Sequence, residues 1–413
     1  MRTNSLIIVL FLTVLTACKT NSEEKINDVT IKEDVAFLAD DKLEGRQTGT
    51  DGEKAAADYI AKRFEDLGLT AKGTEGYLQA FSFKPKADPH QEVNYTVIDG
   101  DSTITGTNVI GFLDNKAENT IIIGAHYDHL GYGAEGSLFR GDKKEIHNGA
   151  DDNASGVAVL LNLAQKLSSA NKGNNYLFMA FSGEEMGLLG SNYFNKNPTI
   201  DLSKANLMLN MDMVGRLKAD STLAVYGVGT SPILKQVVSA NNSKFKIIEN
   251  ESGVGPSDHT SFYNSDIPVL HFFTGQHEDY HKPGDDTEKL NYEGMETIST
   301  YIFDIISDLD NNGKLPFRKT KNESDDVPRF KVGLGVIPDY LFDGEGMRID
   351  GISEDKPAQK ANLQKGDIVI KLGDSLVSDM MSYMRALSTF DTGSRTKVVV
   401  KRGDAEVEAE IEF

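Results

Sequence analysis

The sequence predicts an α/β protein in which helices flank a mostly parallel sheet, with a small β-rich domain toward the C-terminus. Two observations support this prediction. Between residues 120 and 273, short and continuous apolar runs alternate with helical patterns, as in strands of a sheet that is buried on both faces. Residues 329–413 instead show short alternating segments around one helix, which is typical of a separate β domain.

The predicted elements of the main domain follow one another in a consistent order. A helical apolar stripe predicts a helix over 53–67, which ends before Gly68. The other elements are a strand at 77–83, apolar strands at 120–125, 176–181, 207–211 and 267–273, and a helix at 154–167. A polar stretch at 314–328 predicts a linker. The main domain is therefore expected at 28–313, followed by the β-rich domain at 329–413.

The composition is that of a globular protein, and the charge balance excludes one class of partner. The chain has 413 residues, of which 39% are hydrophobic and 26% are charged. A usual domain size of ~100–200 residues predicts two or three domains. With 43 Lys and Arg against 63 Asp and Glu, the formal charge is −20, which argues against the basic surface that nucleic-acid binding requires.

Residues 1–17 resemble a bacterial lipoprotein signal peptide, and residues 18–27 read as a polar tether. The apolar run Leu6–Leu15 has ten residues, too few to span a bilayer, which takes ~20. It leads into Leu-Thr-Ala-Cys, which resembles a lipobox and implies that Cys18 carries the lipid. We therefore expect a bacterial cell envelope protein held at the outer membrane through this anchor only. The sequence leaves open whether it faces the periplasm or the cell surface, and the alternative is an ordinary secretory signal.

Acidic and imidazole side chains follow the predicted apolar strands. In an α/β sheet the carboxyl ends of parallel strands share one edge, where ligands bind. The side chains that this rule gathers at one edge are His126, Asp128, His129, Asp151, Asp152, Glu184, Glu185, Asp212 and His281, with His129 expected near the ligands rather than among them. So many carboxylates repel one another unless cations neutralise them. Imidazoles and carboxylates without a thiolate suit zinc, cobalt or manganese, and we expect two divalent ions, Zn²⁺ first among them, that activate water.

The same residues carry a resemblance to a known family. The chain resembles the co-catalytic zinc aminopeptidases of peptidase family M28 in five motifs, which are His-x-Asp at 126–128, Gly-x-Asp-Asp at 149–152, Glu-Glu at 184–185, Asn-x-Asp at 210–212 and His-x-Pro-x-Asp at 281–285. The resemblance implies that His126, Asp151 and Asp212 hold one zinc ion. Asp151, Glu185 and His281 would hold the other, with Asp151 as the bridging ligand.

The resemblance also implies roles for residues that do not bind metal. Glu184 would be the general base that takes a proton from the metal-activated water and passes it to the leaving amine. Asp128 would fix the tautomer of His126, and Asp285 would do the same for His281. His259 is a candidate donor to the developing oxyanion, with a structural hydrogen bond as the alternative. The peptide bond between Asp151 and Asp152 is expected to be cis.

The β-rich domain resembles a PDZ domain over 329–413. Its segment Gly333-Leu334-Gly335-Val336 is similar to the carboxylate-binding loop of PDZ domains, and 357–369 is similar to their helix-turn-strand segment. Successive backbone N–H groups in such a loop bind the terminal carboxylate of a peptide ligand. The alternative is an accessory domain that packs on the main domain and binds nothing.

Together these observations predict a metal-dependent exopeptidase that hydrolyses the N-terminal peptide bond of peptide substrates. Its enzymatic alternatives are a carboxypeptidase or another amide hydrolase on the same scaffold, and a single-zinc enzyme similar to glutaminyl cyclases. The alternative from another class is a non-catalytic envelope protein that binds peptides through the PDZ-like domain.

Overall fold

The structure is a computed structural model that describes residues 29–85, 95, 103–141, 143–170, 172–321, 331–342, 344–353 and 355–413. The predicted signal peptide, the tether and Cys18 lie outside the described residues, as do residues 322–328 of the predicted linker. Within the described ranges, no helix combines the length and the apolar character that crossing a bilayer requires.

The described residues form nine α-helices and fifteen strands in two sheets. The helices are α1 (Ile31–Leu38), α2 (Asp51–Asp66), α3 (Gly156–Ser168), α4 (Leu189–Lys196), α5 (Leu234–Ala240), α6 (His259–Tyr263), α7 (Tyr292–Leu309), α8 (Pro357–Lys360) and α9 (Met380–Leu387). The strands are β1 (Thr70–Ala71), β2 (Leu78–Phe83), β3 (Ile104–Leu113), β4 (Thr120–His126), β5 (Asn175–Phe181), β6 (Ala205–Met211), β7 (Thr222–Tyr226), β8 (Lys246–Asn250), β9 (Val269–Phe273), β10 (Val336–Pro338), β11 (Met347–Ile352), β12 (Ile368–Leu372), β13 (Ser375–Leu376), β14 (Arg395–Arg402) and β15 (Ala405–Glu412).

The larger sheet is parallel at its centre and antiparallel toward its sides. Its described strands run in the order β1-β3-β5-β4-β6-β9-β7-β8, with β2 paired to β3. Neighbours among β5, β4, β6 and β9 are parallel, whereas β3 and β7 run antiparallel to their central neighbours. The predicted fold class is therefore confirmed, with a mixed sheet whose parallel part is the centre.

Both faces of the central strands are buried, as their continuous apolar runs predict. Every residue of β4, β5 and β6 is buried. Ile121 and Ile123 pack in one hydrophobic core together with α3 and α7, while Ile122 packs in a second core with residues of α4 and α6. Since successive side chains of a strand point to opposite faces, helices cover both sides of the sheet. This arrangement leaves the carboxyl ends of the strands as the open edge.

The second sheet belongs to a domain with its own core. Its described strands run in the order β10-β11-β12-β14-β15, with β13 paired to β12, and all neighbours are antiparallel. Val369, Val398 and Val400 are buried against Tyr383 and Leu387 of α9. These antiparallel strands and α9 confirm the β-rich fold predicted for this part of the chain.

Candidate metal centre

The parallel central strands bring charged side chains to one edge, as the sequence predicts. His126 is the last residue of β4, and Asp212 directly follows β6. Glu184 and Glu185 lie in the turn after β5. The register pairs His126 with Phe181 of β5, so the residues that follow these two strands lie side by side. The described residues contain two clusters that could each hold an ion, and both include Asp152.

The first cluster surrounds the imidazole of His126. Its Nε2 lies 3.4 Å from Asp152 Oδ1 and 3.5 Å from Asp212 Oδ1, and it is buried without a hydrogen-bond partner among the described residues. Its Nδ1 lies 3.2 Å from the backbone oxygen of Asp128. Since that oxygen can only accept, Nδ1 carries the proton and Nε2 presents its lone pair to the two carboxylates. Such a set of donors fits a divalent metal ion.

The second cluster surrounds the carboxylate of Glu185. His281 Nε2 lies 3.2 Å from Glu185 Oε2 and 3.3 Å from Asp152 Oδ2. His129 Nδ1 lies 2.7 Å from Glu185 Oε1 on the other side of the carboxylate. Two imidazoles therefore contact Glu185. The resemblance assigned only His281 as a ligand here, and the sequence analysis placed His129, in the loop after β4, near the ligands without a ligand role.

Asp152 occupies the position that the sequence analysis gave to Asp151. Its two carboxylate oxygens face His126 and His281. Asp151 points elsewhere, because its Oδ1 accepts a hydrogen bond from the backbone of Gly215 at 2.6 Å and its Oδ2 lies 3.2 Å from His277 Nε2. The geometry therefore replaces Asp151 with Asp152 as the shared carboxylate. The cis peptide bond is likewise one residue later than expected, between Asp152 and Asn153.

Asp285 holds the turn that presents Asp152, rather than orienting His281 as the sequence analysis expected. Its carboxylate accepts hydrogen bonds from the backbone N–H groups of Asp151 and Asp152, at 3.0 and 2.9 Å. His281 instead places its Nδ1 3.0 Å from the backbone oxygen of Gly136. A carbonyl therefore fixes the tautomer of His281, and a buried carboxylate fixes the backbone beside Asp152.

Gly149 allows the chain to enter this turn. Its φ of 55° lies in the left-handed region that favours glycine. A Cβ at this position would come within 2.1 Å of the backbone oxygen of Asp152 and 2.5 Å of the ring of His129. Any side chain at residue 149 would therefore displace the shared carboxylate.

Arg46 is a buried cation beneath the centre, and sequence reasoning did not assign it a role. Its guanidinium donates to the backbone oxygens of Tyr127 at 2.7 Å, Asn148 at 2.6 Å and Gly149 at 3.0 Å, and also to that of Leu38. Burial lowers the pKa of Arg46 to about 10, against the opposing effect of nearby carboxylates, so it remains charged at neutral pH. Arg46 thus ties α1 to the loops that carry the site.

The protonation of the cluster reflects its excess of acidic groups. Burial disfavours the imidazolium of His281, but Glu185 and Asp152 outweigh that effect and raise its pKa to about 11. Burial opposes ionisation of Glu185, but His281 and His129 lower its pKa to about 2. The carboxylates therefore attract positive charge strongly, and a bound dication would supply it in place of protons on the imidazoles.

Glu184 differs from the neighbouring Glu185 in its surroundings. Its backbone N–H donates to Asp128 Oδ1 at 3.1 Å, and its Oε2 lies 4.0 Å from His126 Nε2. Burial and nearby carboxylates raise its pKa well above the usual value, with His126 opposing. Asp128 also accepts a hydrogen bond from Thr48 at 3.0 Å, so one carboxylate fixes the backbone of Glu184 beside the ring of His126. Glu184 is thus placed next to the first cluster.

His259 lies beside the cavity wall. It is fully buried and stacks on His271, with ring centroids 4.5 Å apart. Burial lowers its pKa well below the usual value, so the ring is neutral. A Cβ at Gly255 would come within 2.7 Å of His259 Nε2, so Gly255 covers the ring at this point. The oxyanion role of His259 stays a prediction. The preceding residue, Asp258, is a buried acid that sequence reasoning missed, and burial raises its pKa to about 7.

A cavity of about 400 Å³ opens onto both clusters. Its polar wall includes Asp152, Glu184, Glu185, Asp212 and His281. The rest of its lining is largely apolar or aromatic and includes Met213, Tyr226, Val254, Pro256, Phe273, Tyr280 and Tyr340. A cavity of this size with a few converging polar groups is typical of a site for a small ligand or the end of a peptide.

The predicted carboxylate-binding loop lies at the edge of the smaller sheet. Val336 begins β10, which is the edge strand of that sheet. The backbone oxygens of Leu334 and Gly335 accept hydrogen bonds from Ala358 and Ser353, at 2.8 and 2.9 Å. These bonds hold the loop against α8. Gly333 precedes them, and the peptide-binding role of the loop stays a prediction.

The fold and the centre define a class of protein: α/β proteins in which strand ends gather imidazoles and carboxylates that could hold metal ions. Residues 108–306 match the sequence model of Peptidase family M28, and residues 317–413 match that of a PDZ domain. Residues 108–306 are therefore similar to peptidase family M28 and residues 317–413 to PDZ domains, as the motifs predict. From here on we call these two parts the peptidase domain and the PDZ domain.

Similar proteins agree with this assignment. A probable leucine aminopeptidase of Trichophyton verrucosum is 31% identical over 172 residues, which cover 39% of this chain and 44% of that protein. The chain spans about half the length of the curated relatives that it matches.

Solved structures share the fold of the peptidase domain. BSAP, a zinc aminopeptidase from Bacillus subtilis, has 17% identity and a TM-score of 0.53 over 70% of this chain and 96% of that one. Glutaminyl cyclase from Porphyromonas gingivalis has 18% identity and a TM-score of 0.54 over 68% of this chain and 97% of that one. At these identities the similarity shows the fold alone.

Proposed function

We propose that this protein is a zinc-dependent aminopeptidase, an exopeptidase that hydrolyses the N-terminal peptide bond of peptides. The observation that carries the proposal is the placement of Asp152, whose two oxygens lie 3.4 Å from His126 Nε2 and 3.3 Å from His281 Nε2. The family match and the relatives named as aminopeptidases support this reading.

We propose two ions in the centre. His126, Asp152 and Asp212 would hold the first. Asp152 and Glu185 would hold the second, together with the imidazole of His281, while His129 orients Glu185. The support is chemical, because zinc takes imidazole nitrogens and carboxylate oxygens, and both clusters offer both kinds of ligand. The lone pair of His126 Nε2, which has no other partner among the described residues, is the firmest sign of a fit.

The residues around the ions have separate roles in the reaction. Bound zinc supplies Lewis-acid polarisation of the scissile carbonyl and activation of water. Glu184, whose Oε2 lies 4.0 Å from His126 Nε2, takes the proton of the attacking water and delivers it to the leaving amine. Asp128 keeps His126 in the tautomer that presents Nε2. The acidic wall of the cavity attracts the free α-amine of the substrate.

The proposal is tested with a matched pair of substrates, leucine p-nitroanilide and its N-acetyl derivative, and the zinc-loaded full chain. We expect hydrolysis of the free amine and none of the acetylated compound, since acetylation removes the charge that the acidic wall recognises. The Glu184→Gln variant, prepared in parallel, controls for contaminating peptidases. Equal hydrolysis of both compounds would favour another amide hydrolase. A zinc-loaded protein that hydrolyses neither compound, nor a peptide from its C-terminal end, would leave the non-catalytic alternative.

We propose that the protein is anchored in the bacterial cell envelope by a lipid on Cys18, in the outer membrane. The support is the lipobox pattern of the sequence. In a bacterial host, labelled palmitate should enter the full chain and not the Cys18→Ser variant. Digestion of intact cells by an added protease then separates the surface face from the periplasmic face. Equal labelling of the two proteins would contradict the anchor.

We propose that the PDZ domain binds the C-terminal carboxylate of a peptide at Gly333, Leu334, Gly335 and Val336. The family match and the edge position of β10 support this, because an edge strand can pair with an added peptide strand. A peptide library with free C-termini should bind to the full chain, and the same library with amidated C-termini should bind much more weakly. Equal binding of the two libraries would contradict a carboxylate site.

A further inference from the structure

The PDZ domain contributes a side chain to the cavity of the metal centre. Tyr340 lies two residues after β10, yet it lines the same cavity as Asp152, Glu184 and His281. Its side chain is not packed in the core of the PDZ domain, since 37% of the residue is exposed. A residue from the second domain therefore forms part of the wall around the reacting groups.

An apolar contact between the domains places Tyr340 there. Its neighbour Leu341 is only 4% exposed and lies against Gly275, in the loop that leads from β9 to His281. Gly275 has a φ of 99°, and a Cβ there would come within 2.8 Å of Leu341 Cδ1. The peptidase domain thus provides a space without a side chain, and Leu341 fills it.

Ion pairs flank this contact. Lys218 of the peptidase domain lies 3.3 Å from Asp350 of the PDZ domain, and Lys365 of the PDZ domain lies 3.0 Å from Glu278 of the peptidase domain. The peptidase domain supplies the lysine in the first pair and the acid in the second. A shift of one domain surface along the other would therefore bring like charges together. Glu278 belongs to the loop that carries His281, so the PDZ domain contacts the metal centre's own loop.

The turn that carries Tyr340 is itself fixed. Asp339 is buried, and its carboxylate accepts hydrogen bonds from the backbone of Leu341 at 3.0 Å and from Arg348 Nε at 2.8 Å. The guanidinium of Arg348 also lies over the ring of Phe342, 4.7 Å from its centroid. These contacts hold residues on both sides of Tyr340 and so fix the backbone that carries its ring at the cavity.

The cavity that Tyr340 lines also has apolar lining residues. Val254, Pro256, Phe273 and the ring of Tyr226 line the same cavity, together with carboxylates and the imidazoles of His271 and His281. An amino-terminal residue in this cavity needs its amine near the carboxylates and its side chain near apolar groups. The side chain that fits this wall is apolar, and an aromatic or branched one is large enough to reach it.

We propose that Tyr340 is a specificity-determining residue, which contacts the apolar side chain of the substrate's first residue and so makes substrate preference a property of both domains. The inference rests on the proposed aminopeptidase function and assigns part of the selection of the N-terminal side chain to the PDZ domain. Tyr340 touches substrate and takes no part in the proton transfers.

The experiment compares phenylalanine and alanine p-nitroanilides on four zinc-loaded full chains. The chains are the wild type, Tyr340→Ala, Tyr340→Phe and Leu376→Ala, the last a control on the PDZ surface whose side chain is 77% exposed. In Tyr340→Ala we expect the phenylalanine-to-alanine ratio of kcat/KM to fall about tenfold, through a higher KM for the phenylalanine substrate, because a buried apolar contact is lost. Tyr340→Phe keeps the ring and should keep the ratio, as should Leu376→Ala.

The outcomes separate the inference from the function on which it rests. A wild-type chain that binds zinc and hydrolyses neither substrate would overturn both. If the wild type is active, then an unchanged or raised ratio in Tyr340→Ala, or an equal loss on both substrates, would overturn the inference alone. A fall that Tyr340→Phe does not restore would also count against it, because the ring and not the hydroxyl makes the contact.

Discussion

Charged side chains lie in opposite environments in the two domains. At the strand ends of the peptidase domain, His126, Asp128 and Asp152 are at most 3% exposed. On the outer strands of the PDZ domain, Arg395 pairs with Glu412 while the two side chains are 80% and 56% exposed. A buried charge loses its hydration and must find compensation inside the protein, whereas an exposed one stays solvated.

This difference indicates which charged residues belong to a functional site. In the peptidase domain the buried acids are compensated by imidazoles, by Arg46 and by backbone N–H groups, an arrangement that is costly unless a cation binds there. In the PDZ domain the charged strand residues alternate with buried ones and cover the surface of the sheet. We therefore expect substitutions of equal chemical size to have large effects in the first region and small ones in the second.

The largest expected effect is a difference in zinc binding and hydrolysis between substitutions of two adjacent aspartates, Asp151 and Asp152. Asp152→Asn should abolish both zinc binding and hydrolysis, because it weakens the carboxylate that faces both histidines. Asp151→Asn should lower zinc affinity about 10–100-fold and retain activity at saturating zinc, because Asp151 supports the centre from outside it. Bound zinc is measured by mass spectrometry alongside leucine p-nitroanilide hydrolysis. The reverse order of effects would return the shared position to Asp151.

The next effect concerns proton transfer alone. Glu184→Gln should lower kcat about 10²–10⁴-fold while the bound zinc is retained, since the amide cannot accept the proton. Glu65→Gln, on the exposed face of α2, is the matched control and should keep the wild-type rate. A near-native rate in Glu184→Gln would remove this residue from its proposed role.

A third comparison sets one buried arginine against one exposed arginine. Arg46→Met should lower the free energy of unfolding by about 3 kcal/mol or more, because several buried carbonyls lose a charged donor. Arg395→Met should produce no measurable change, since an exposed ion pair contributes little. Urea unfolding followed by circular dichroism measures both. Equal effects would contradict the contrast between the two regions.

The smallest expected effect concerns the ion pair between Lys365 and Glu278, which joins the two domains. The hydrogen bond from Lys365 lowers the pKa of Glu278 to about 2. A folded-state pKa below the ordinary 4.5 stabilises the protein above that value, and the contribution is lost as pH falls toward about 2. Because the pair is exposed, the difference in unfolding free energy between wild type and Glu278→Gln should stay below about 1 kcal/mol at pH 7. This difference in unfolding free energy should become smaller below pH 4.5. A difference that becomes larger in acid would contradict the pairing.

Much of the peptidase domain could be predicted because the same sequence pattern locates both its buried strands and the residues at their carboxyl ends. Continuous apolar runs mark strands buried on both faces, and parallel strands end at one edge. The structure accordingly brings together His126, Glu184, Glu185, Asp212 and His281. The role of each as a ligand or base remains a proposal.

The predictions that were wrong concern side chains whose direction depends on the local backbone conformation. Asp151 and Asp152 are adjacent and chemically identical, and they lie in an irregular turn at Ala150–Ser155 whose φ and ψ angles leave the helical range at Asp152. The spacing of a motif cannot say which of two neighbours faces inward when the turn has no regular period. Arg46 and Asp285 were missed or misplaced for a similar reason, since their partners are backbone groups of distant loops.

The sequence by itself determined the central strands of the larger sheet, the helices α2 and α3, the resemblance to a peptidase family and to PDZ domains, and the set of charged residues from which the centre is built, because these depend on periodicity and on short motifs. Only the tertiary structure decided that Asp152 faces both histidines and that Tyr340 reaches the cavity from the other domain. Both depend on how loops far apart in the chain pack against one another, and such contacts leave no periodic trace in the sequence.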